Sequence, residues 1–113
     1  MEINSNSIYK CLKEIGMAFH LQGYDYIVKA LELISKDKTY LRALTTRLYP
    51  DIATQFNTKW TRVERAMRYA VENTVVNMSR DDTIRIFGRP VNETKPPYVS
   101  EFLAALYTYI KLS

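Results

Sequence analysis

The sequence has few of the residues that carry metal sites, disulfides and most enzyme chemistry. Its 113 residues include one cysteine, one histidine and three glycines. A single cysteine cannot form an internal disulfide, and neither Cys11 nor His20 has a partner at metal-ligand spacing. There is also no glycine-rich phosphate loop and no nucleophile paired with a base. We therefore expect no metal, no cofactor and no enzymatic activity, with Cys11 as a small buried thiol.

Long apolar runs are missing as well. No stretch approaches the roughly 18 apolar residues that span a membrane, and the first residues lack the apolar block of a signal peptide. The composition, 47% hydrophobic and 25% charged, is typical of globular domains. These features predict one cytoplasmic domain over residues 1–113 that makes no contact with a membrane.

Charge of one sign is only mildly in excess. The net charge is +4, and the isoelectric point is near 9.2. This balance favours an anionic partner, but many proteins without such a partner share it. The case for a nucleic-acid partner therefore depends on where the positive charges lie.

What the sequence has in abundance is helical periodicity. Apolar residues recur every three or four positions, and sustained alternation is missing. This pattern predicts an all-α fold, a compact bundle of about six helices that contains a helix-turn-helix. The expected helices cover residues 7–15, 24–34, 38–48, a pair within about 49–77, 80–87 and 98–112, with Gly23 before the helix over 24–34 and Gly88 after the helix over 80–87.

Residues 49–77 are the most informative part of the chain because they read as two helices joined by a tight turn. Pro50 suits the first turn of a helix, and Asn57 tolerates the left-handed backbone that ends one. Thr58 is suited to cap the next helix, and a capping-box pattern beginning at Thr61 offers an alternative start. This is the layout of a helix-turn-helix DNA reader.

The second helix of this pair, about 59–77, has distinct inner and outer faces. A rotation of about 100° per residue places a core stripe at Val63, Ala66, Met67, Ala70 and Thr74. Arg65, Tyr69 and Glu72 point outward, and Arg62, Glu64 and Arg68 flank them. Residues 59–68 contain four cations and one anion. The alternative interpretation is a solvated helix face stabilised by ion pairs.

The residue types on the outer face suit direct reading of base pairs. An arginine can bind guanine O6 and N7, and a glutamate can accept from cytosine N4. We therefore predict Arg62, Glu64 and Arg65 as base-reading residues. The candidate contacts to the DNA backbone are Thr58, Lys59, Trp60, Arg68, Tyr69, Lys95 and Ser100. Trp60 has a second possible role, packing on the preceding helix.

Four stretches of the chain resemble a known family. They are IYKCLKEIGMAFHLQGYDYIVKAL, LYPDIATQFNT, TRVERAMRYAVE and IFGRPVNETKPPYVSEFLAAL. Together they are similar to the C-terminal effector domain of the sporulation stage-zero master response regulator of spore-forming Firmicutes, over about residues 8–112. The resemblance implies a helical domain that binds a TGTCGAA-type box, often as tandem copies, and contacts an RNA polymerase sigma factor. It also implies base contacts by Arg62, Glu64 and Arg65.

The chain departs from the family pattern at several positions. Tyr69 stands where the family usually has histidine, and Trp60 stands where it has small residues. The family also carries an N-terminal receiver domain, whose alternating strand-helix pattern does not occur in this sequence. Two interpretations stay open, an effector domain of a longer protein and a short paralogue without the switch.

The main alternative function is a protein-interaction module that uses the same basic face to bind an acidic partner. A sequence reader should prefer its own duplex, whereas a phosphate-only binder should show no sequence preference. For a reader, Arg65→Ala should relax discrimination at one base pair. Arg68→Ala should weaken binding to all DNA similarly.

Overall fold

A computed structural model of the protein describes residues 3–92 and 94–113, so Met1, Glu2 and Glu93 of the expected domain lie outside the described residues. The described residues form six α-helices and no strands, which confirms the all-α prediction. The helices are α1 (Ser5–Glu14), α2 (Gln22–Lys36), α3 (Tyr49–Gln55), α4 (Trp60–Asn77), α5 (Arg80–Phe87) and α6 (Val99–Leu112). None of them is long and apolar enough to cross a membrane.

The helices pack around one hydrophobic core. The helix α2 lies at its centre, in contact with α1, α4 and α6, and α3 packs mainly on α4. Among the largest fully buried side chains are Ile27 and Leu31 of α2, Met67 of α4, and Phe102, Leu103 and Leu106 of α6. Burial of these apolar surfaces is the main force that holds α4 in place.

The contact between α2 and α4 depends on a glycine. The sequence placed Gly23 before the second helix, but α2 begins at Gln22 and includes Gly23. A Cβ atom at Gly23 would lie 2.3 Å from the carbonyl oxygen of Ala66 and 2.7 Å from the Cβ of Ala70. Without a side chain here, the two helix backbones approach closely. Gly23 therefore permits close packing of α2 and α4, and its expected role as a helix boundary is wrong.

The segment 38–48 is not the single α-helix that its periodicity predicted. It forms a 3₁₀ helix over Lys38–Arg42 and a π-helical turn over Leu44–Leu48, separated by Ala43 with φ −145° and ψ 50°. The π-helical turn continues directly into α3. Pro50 lies in the first turn of α3, which confirms its predicted position.

Side-chain contacts across this segment explain the irregular backbone. The carboxylate of Asp37 accepts a hydrogen bond from the backbone N–H of Thr39 and lies 3.0 Å from the guanidinium of Arg47. Arg47 also lies over the ring of Tyr40, at 4.3 Å, and the Tyr40 hydroxyl donates to Asp51 of α3. Hydrogen bonds from the hydroxyl and the backbone N–H of Thr39, together with the Arg47 guanidinium, lower the pKa of the Asp37 carboxyl to about 2. They favour a compact double turn over a straight helix.

The remaining boundaries follow local sequence signals closely. Ser79 caps α5 by accepting from the N–H of Asp82, and Gly88 ends it in the left-handed conformation with φ 76°. The helix α6 begins one residue later than expected. Gly16 follows the end of α1 with φ 80°. His20 is exposed.

Candidate nucleic-acid interface

The turn between α3 and α4 is a tight, hydrogen-bonded motif. The N–H of Thr58 donates to the carbonyl of Ala53 at 2.9 Å, and the N–H of Asn57 donates to that of Thr54 at 3.3 Å. Asn57 has φ 53°, the left-handed conformation that such a motif needs. This confirms the expectation for Asn57. The motif fixes the direction in which the chain enters α4.

Neither threonine caps α4 in the way the sequence suggested. The capping position is Lys59, which makes no side-chain capping bond, and α4 begins at Trp60. Thr58 lies one residue before the capping position and its N–H closes the preceding turn, whereas Thr61 lies inside the first helical turn. The first-turn amides of α4 therefore lack a side-chain acceptor. No acidic residue offsets the positive end of the helix dipole, and Lys59 and Arg62 add positive charge there.

The inner face of α4 follows the predicted helical phase. The residues at most 1% exposed on this helix are Val63, Met67, Ala70, Val71 and Thr74. Val75 is buried too, and Ala66 is partly buried. The hydroxyl of Thr74 donates to the carbonyl of Ala70 at 2.7 Å, so this buried polar group has a partner. Because this face is fixed by packing, the opposite face is fixed as well.

The outer face of α4 presents two arginines to solvent. Arg62 and Arg65 are exposed and make no salt bridge or side-chain hydrogen bond among the described residues. Tyr69, which lies on the same face, is 58% exposed, and Trp60 at the start of the helix is 43% exposed. The two guanidinium groups are therefore available to bind an external acceptor.

Glu64 and Arg68 lie on a different flank of α4 and contact each other. The Nη1 atom of Arg68 is 3.0 Å from Oε2 of Glu64. Helix geometry separates Arg62 from Glu64 by about 160° around the axis. The structure therefore places Arg65 between two flanks, with Arg62 on one and the Glu64–Arg68 pair on the other. Glu64 is the only base-reading candidate that has an intramolecular ion pair in the described part of the chain.

A cleft of ≈ 830 Å³ lies beside this flank of α4. Lys95 of the loop after α5 and Ser100 in the first turn of α6 line its far side, opposite Glu64 and Arg68. Tyr49 contributes to the lining from α3. Burial and the nearby carboxylate of Glu64 raise the pKa of the Tyr49 phenol to about 12, against the lowering effect of Arg68. The fold thus brings two distant candidates for backbone contacts to the side of α4.

Residues 8–110 match the protein family described as "Sporulation initiation factor Spo0A C terminal". The chain belongs to this family. The match covers nearly the whole chain, from the fourth residue of α1 to the last turn of α6.

Membership of the Spo0A C-terminal family identifies the chain as a DNA-binding effector domain of a response regulator, which acts in sporulation and transcription regulation. The pair α3 and α4 fits the helix-turn-helix of such a domain. In a helix-turn-helix the second helix lies in the major groove. Membership of the family therefore implies that DNA is a partner of the chain.

Some residues beside the helix-turn-helix of this Spo0A C-terminal domain could not be found from the sequence. Tyr49 and Glu72 line the cleft, and Arg89 forms a two-point ion pair with Glu101 at 2.9 and 3.2 Å beside it. These contacts join elements far apart in the chain, so periodicity does not reveal them. The Glu64–Arg68 ion pair is indicated by the sequence, because opposite charges four residues apart face each other on a helix.

Proposed function

We propose that the chain is a sequence-specific transcription regulator that places α4 in the major groove of a TGTCGAA-type box. Arg62, Glu64 and Arg65 contact base edges in this arrangement. The observation that supports it best is a pair of exposed arginines, Arg62 and Arg65, which have no ion pair with any described residue and lie on a helix that follows a tight turn. Arginine forks suit guanine and a carboxylate suits cytosine N4, and a box of this type contains both bases.

The surrounding polar residues supply contacts to the DNA backbone in this proposal. They are Thr58, Lys59, Trp60, Arg68, Tyr69, Lys95 and Ser100. The uncapped amides at the start of α4, with Lys59 beside them, support an anion at that end of the helix. The exposed Lys95 and the first turn of α6 offer a second anchoring point across the cleft. Backbone contacts of this kind set register and carry no sequence information directly.

The proposal also includes the number of copies bound to DNA and the protein partner of the regulator. Residues 1–113 form a single, non-enzymatic, cytoplasmic effector domain that binds DNA as tandem copies or as a homodimer. One helix reads only a few base pairs, so a second copy is needed for useful selectivity. A contact with an RNA polymerase sigma factor then couples DNA binding to activation or repression. The family resemblance supports these partners.

The experiment that tests the proposal compares a duplex that carries the box with a shuffled duplex. Dissociation constants are measured at about 0.15 M salt and over a salt series, because phosphate contacts make affinity strongly salt-dependent. We expect the box to bind at least ~10³-fold more tightly than the shuffled duplex. A ratio near one at every salt concentration would contradict the proposal and favour an acidic protein as the partner of this face.

A further inference from the structure

We propose that Arg68 is a positioning residue for Glu64, and that its guanidinium orients and neutralises the carboxylate so that Glu64 can accept a hydrogen bond from cytosine in the major groove. The inference rests on the proposed function, because it assigns a new role within the same base-reading surface.

The contact geometry supports this role. The Nη1 atom of Arg68 lies 3.0 Å from Oε2 of Glu64 and 3.4 Å from Oε1, so one nitrogen approaches both carboxylate oxygens. The side chain of Arg68 is 54% exposed and that of Glu64 is 30% exposed. The arginine therefore covers part of the carboxylate and still leaves some of it open. Arg62 and Arg65, by contrast, have no such contact among the described residues.

Arg68 also has a choice of partners, and it contacts the one nearer the start of α4. Glu64 and Glu72 lie one turn away on either side of Arg68, yet the ion pair joins Arg68 to Glu64 alone. An acid four residues before a cation is the more favourable order on a helix. Tyr49 of α3 lies close enough to both members of the pair for their charges to act on its phenol. Both members of the pair lie in the N-terminal half of α4, the part that contacts base edges in a helix-turn-helix.

Electrostatics explains why Glu64 needs a cation. Double-stranded DNA carries about one negative charge per 1.7 Å of its axis, and this field opposes the entry of a carboxylate into the groove. A guanidinium at 3.0 Å offsets that repulsion. A carboxylate has about four acceptor positions, so binding to Arg68 leaves others free for cytosine N4.

This role changes the expectation for substitutions at Arg68. If Arg68 only bound phosphate, its loss would weaken binding to every duplex by the same factor. If Arg68 acts through Glu64, substitution of Arg68 should lower base preference mainly at the base pair that Glu64 reads. The two roles can therefore be separated by measuring base preference together with the salt dependence of binding.

The test uses the full chain with Arg68→Gln, Arg68→Lys, Glu64→Gln and the double variant Glu64→Gln/Arg68→Gln. Each is titrated with the box duplex and with duplexes that carry the other base pairs at each position. The position at which Glu64→Gln loses preference identifies the base pair that Glu64 reads. We expect Arg68→Gln to lower preference at that position roughly tenfold and to change other positions less than about twofold. Arg68→Lys should retain most of the preference, and the double variant should match Glu64→Gln.

A matched control removes one positive charge elsewhere. Lys10 is exposed on α1, which packs mainly on α2 and α6. The substitution Lys10→Gln should leave base preference unchanged at every position. The melting temperature of each variant shows that folding is intact, because exposed pairs within one helix contribute little to stability.

Two results would overturn the inference. The first is an equal loss on all duplexes with Arg68→Gln, together with a salt slope smaller by ~0.9 and full additivity with Glu64→Gln, as for a phosphate contact. The second is a base preference that neither Arg68 variant alters. In both cases the wild-type chain still prefers its box, so the proposed function stands. A wild-type chain without any preference would overturn both.

Discussion

Three arginines of α4 lie within two turns of one helix and differ in what they contact. Arg62 and Arg65 extend from the outer face without a partner in residues 3–92 and 94–113, whereas Arg68 is paired with Glu64 at 3.0 Å. An unpaired guanidinium can bind a base without first breaking another contact. Base reading is therefore expected to depend most directly on Arg62 and Arg65.

The substitution Arg65→Ala tests this at a single residue. We expect it to cost about 1–3 kcal/mol on the preferred box and to relax discrimination at one base pair. The control Lys59→Ala, at the start of α4, should weaken binding to box and shuffled duplexes by similar factors. Dissociation constants on both duplexes check this. Equal behaviour of the two variants would mean that Arg65 contacts phosphate and not a base.

The buried thiol gives a prediction that does not involve DNA. Burial raises the pKa of Cys11 to about 12, with a smaller contribution from Glu14. At pH 8 the thiol should resist alkylation in the folded chain and react readily in denaturant. Mass measurement of the alkylated chain checks this. Rapid modification under native conditions would contradict the burial of Cys11.

The raised pKa of Cys11 also makes the stability of the folded state depend on pH. The folded pKa of Cys11 lies above the ordinary value of about 8.5, so the neutral thiol favours the folded state below that pH. This contribution is lost as the pH rises from about 8.5 toward 12. Between pH 8 and pH 10.5, the urea concentration at the unfolding midpoint should therefore fall further for the wild type than for Cys11→Ala. Equal losses would show that the thiol is not linked to folding.

At the scale of secondary-structure elements, the close approach of α2 and α4 positions the helix-turn-helix. The substitution Gly23→Ala should test it. Alanine is the better helix former by about 1 kcal/mol, but its Cβ would lie 2.3 Å from the Ala66 carbonyl oxygen. The clash involves backbone and should dominate, with a net loss of about 1–3 kcal/mol in urea unfolding. The exposed neighbour Gln22→Ala is the control, and equal stability of the two variants would contradict this account.

The inner face of α4 can be tested in the same way. Met67 is fully buried, so Met67→Ala should lower the free energy of unfolding by about 2–5 kcal/mol. Val76 lies on the outer face and is 48% exposed, and Val76→Ala should change stability by less than about 0.5 kcal/mol. Thermal and urea unfolding measure both. A normal melting temperature for Met67→Ala would mean that the phase of α4 is different.

The elements that sequence predicted well are those whose signals are local. The helix α5 has a serine cap and a glycine end, and the core stripe of α4 follows directly from its apolar spacing. The segment 38–48 was predicted wrongly because contacts between side chains, Asp37 with Arg47 above all, override its periodicity. Thr58 was assigned to the wrong element because its backbone N–H closes the turn before it.

The candidate site was predictable to a similar extent. Helical phase alone placed Arg62 and Arg65 on the surface opposite the core. The cleft that brings Lys95 and Ser100 alongside Glu64 and Arg68 was not predictable, because it depends on packing between elements about thirty residues apart. Contacts between such distant elements produce no periodic pattern in the sequence. Which residues touch DNA stays a prediction.

At the scale of the whole molecule, the helix-turn-helix packs on one hydrophobic core and exposes its outer face. The helices away from α4 are also joined at the surface, since Arg85 of α5 lies 3.2 Å from Glu14 of α1 and near Tyr109 of α6. The net charge of +4 is small, so general attraction to DNA is modest. In the proposed function, selectivity therefore depends on the few side chains on α4 and on the number of copies bound.

The most direct measurement is the selection of bound duplexes from a random pool at about 0.15 M salt, with the wild-type chain and with the triple variant Arg62→Ala/Glu64→Ala/Arg65→Ala in parallel. The wild type should enrich a short box of the TGTCGAA type, in repeated copies at a fixed spacing, and the triple variant should not. A wild-type pool without enriched positions, or the same box recovered with the triple variant, would contradict base reading by α4.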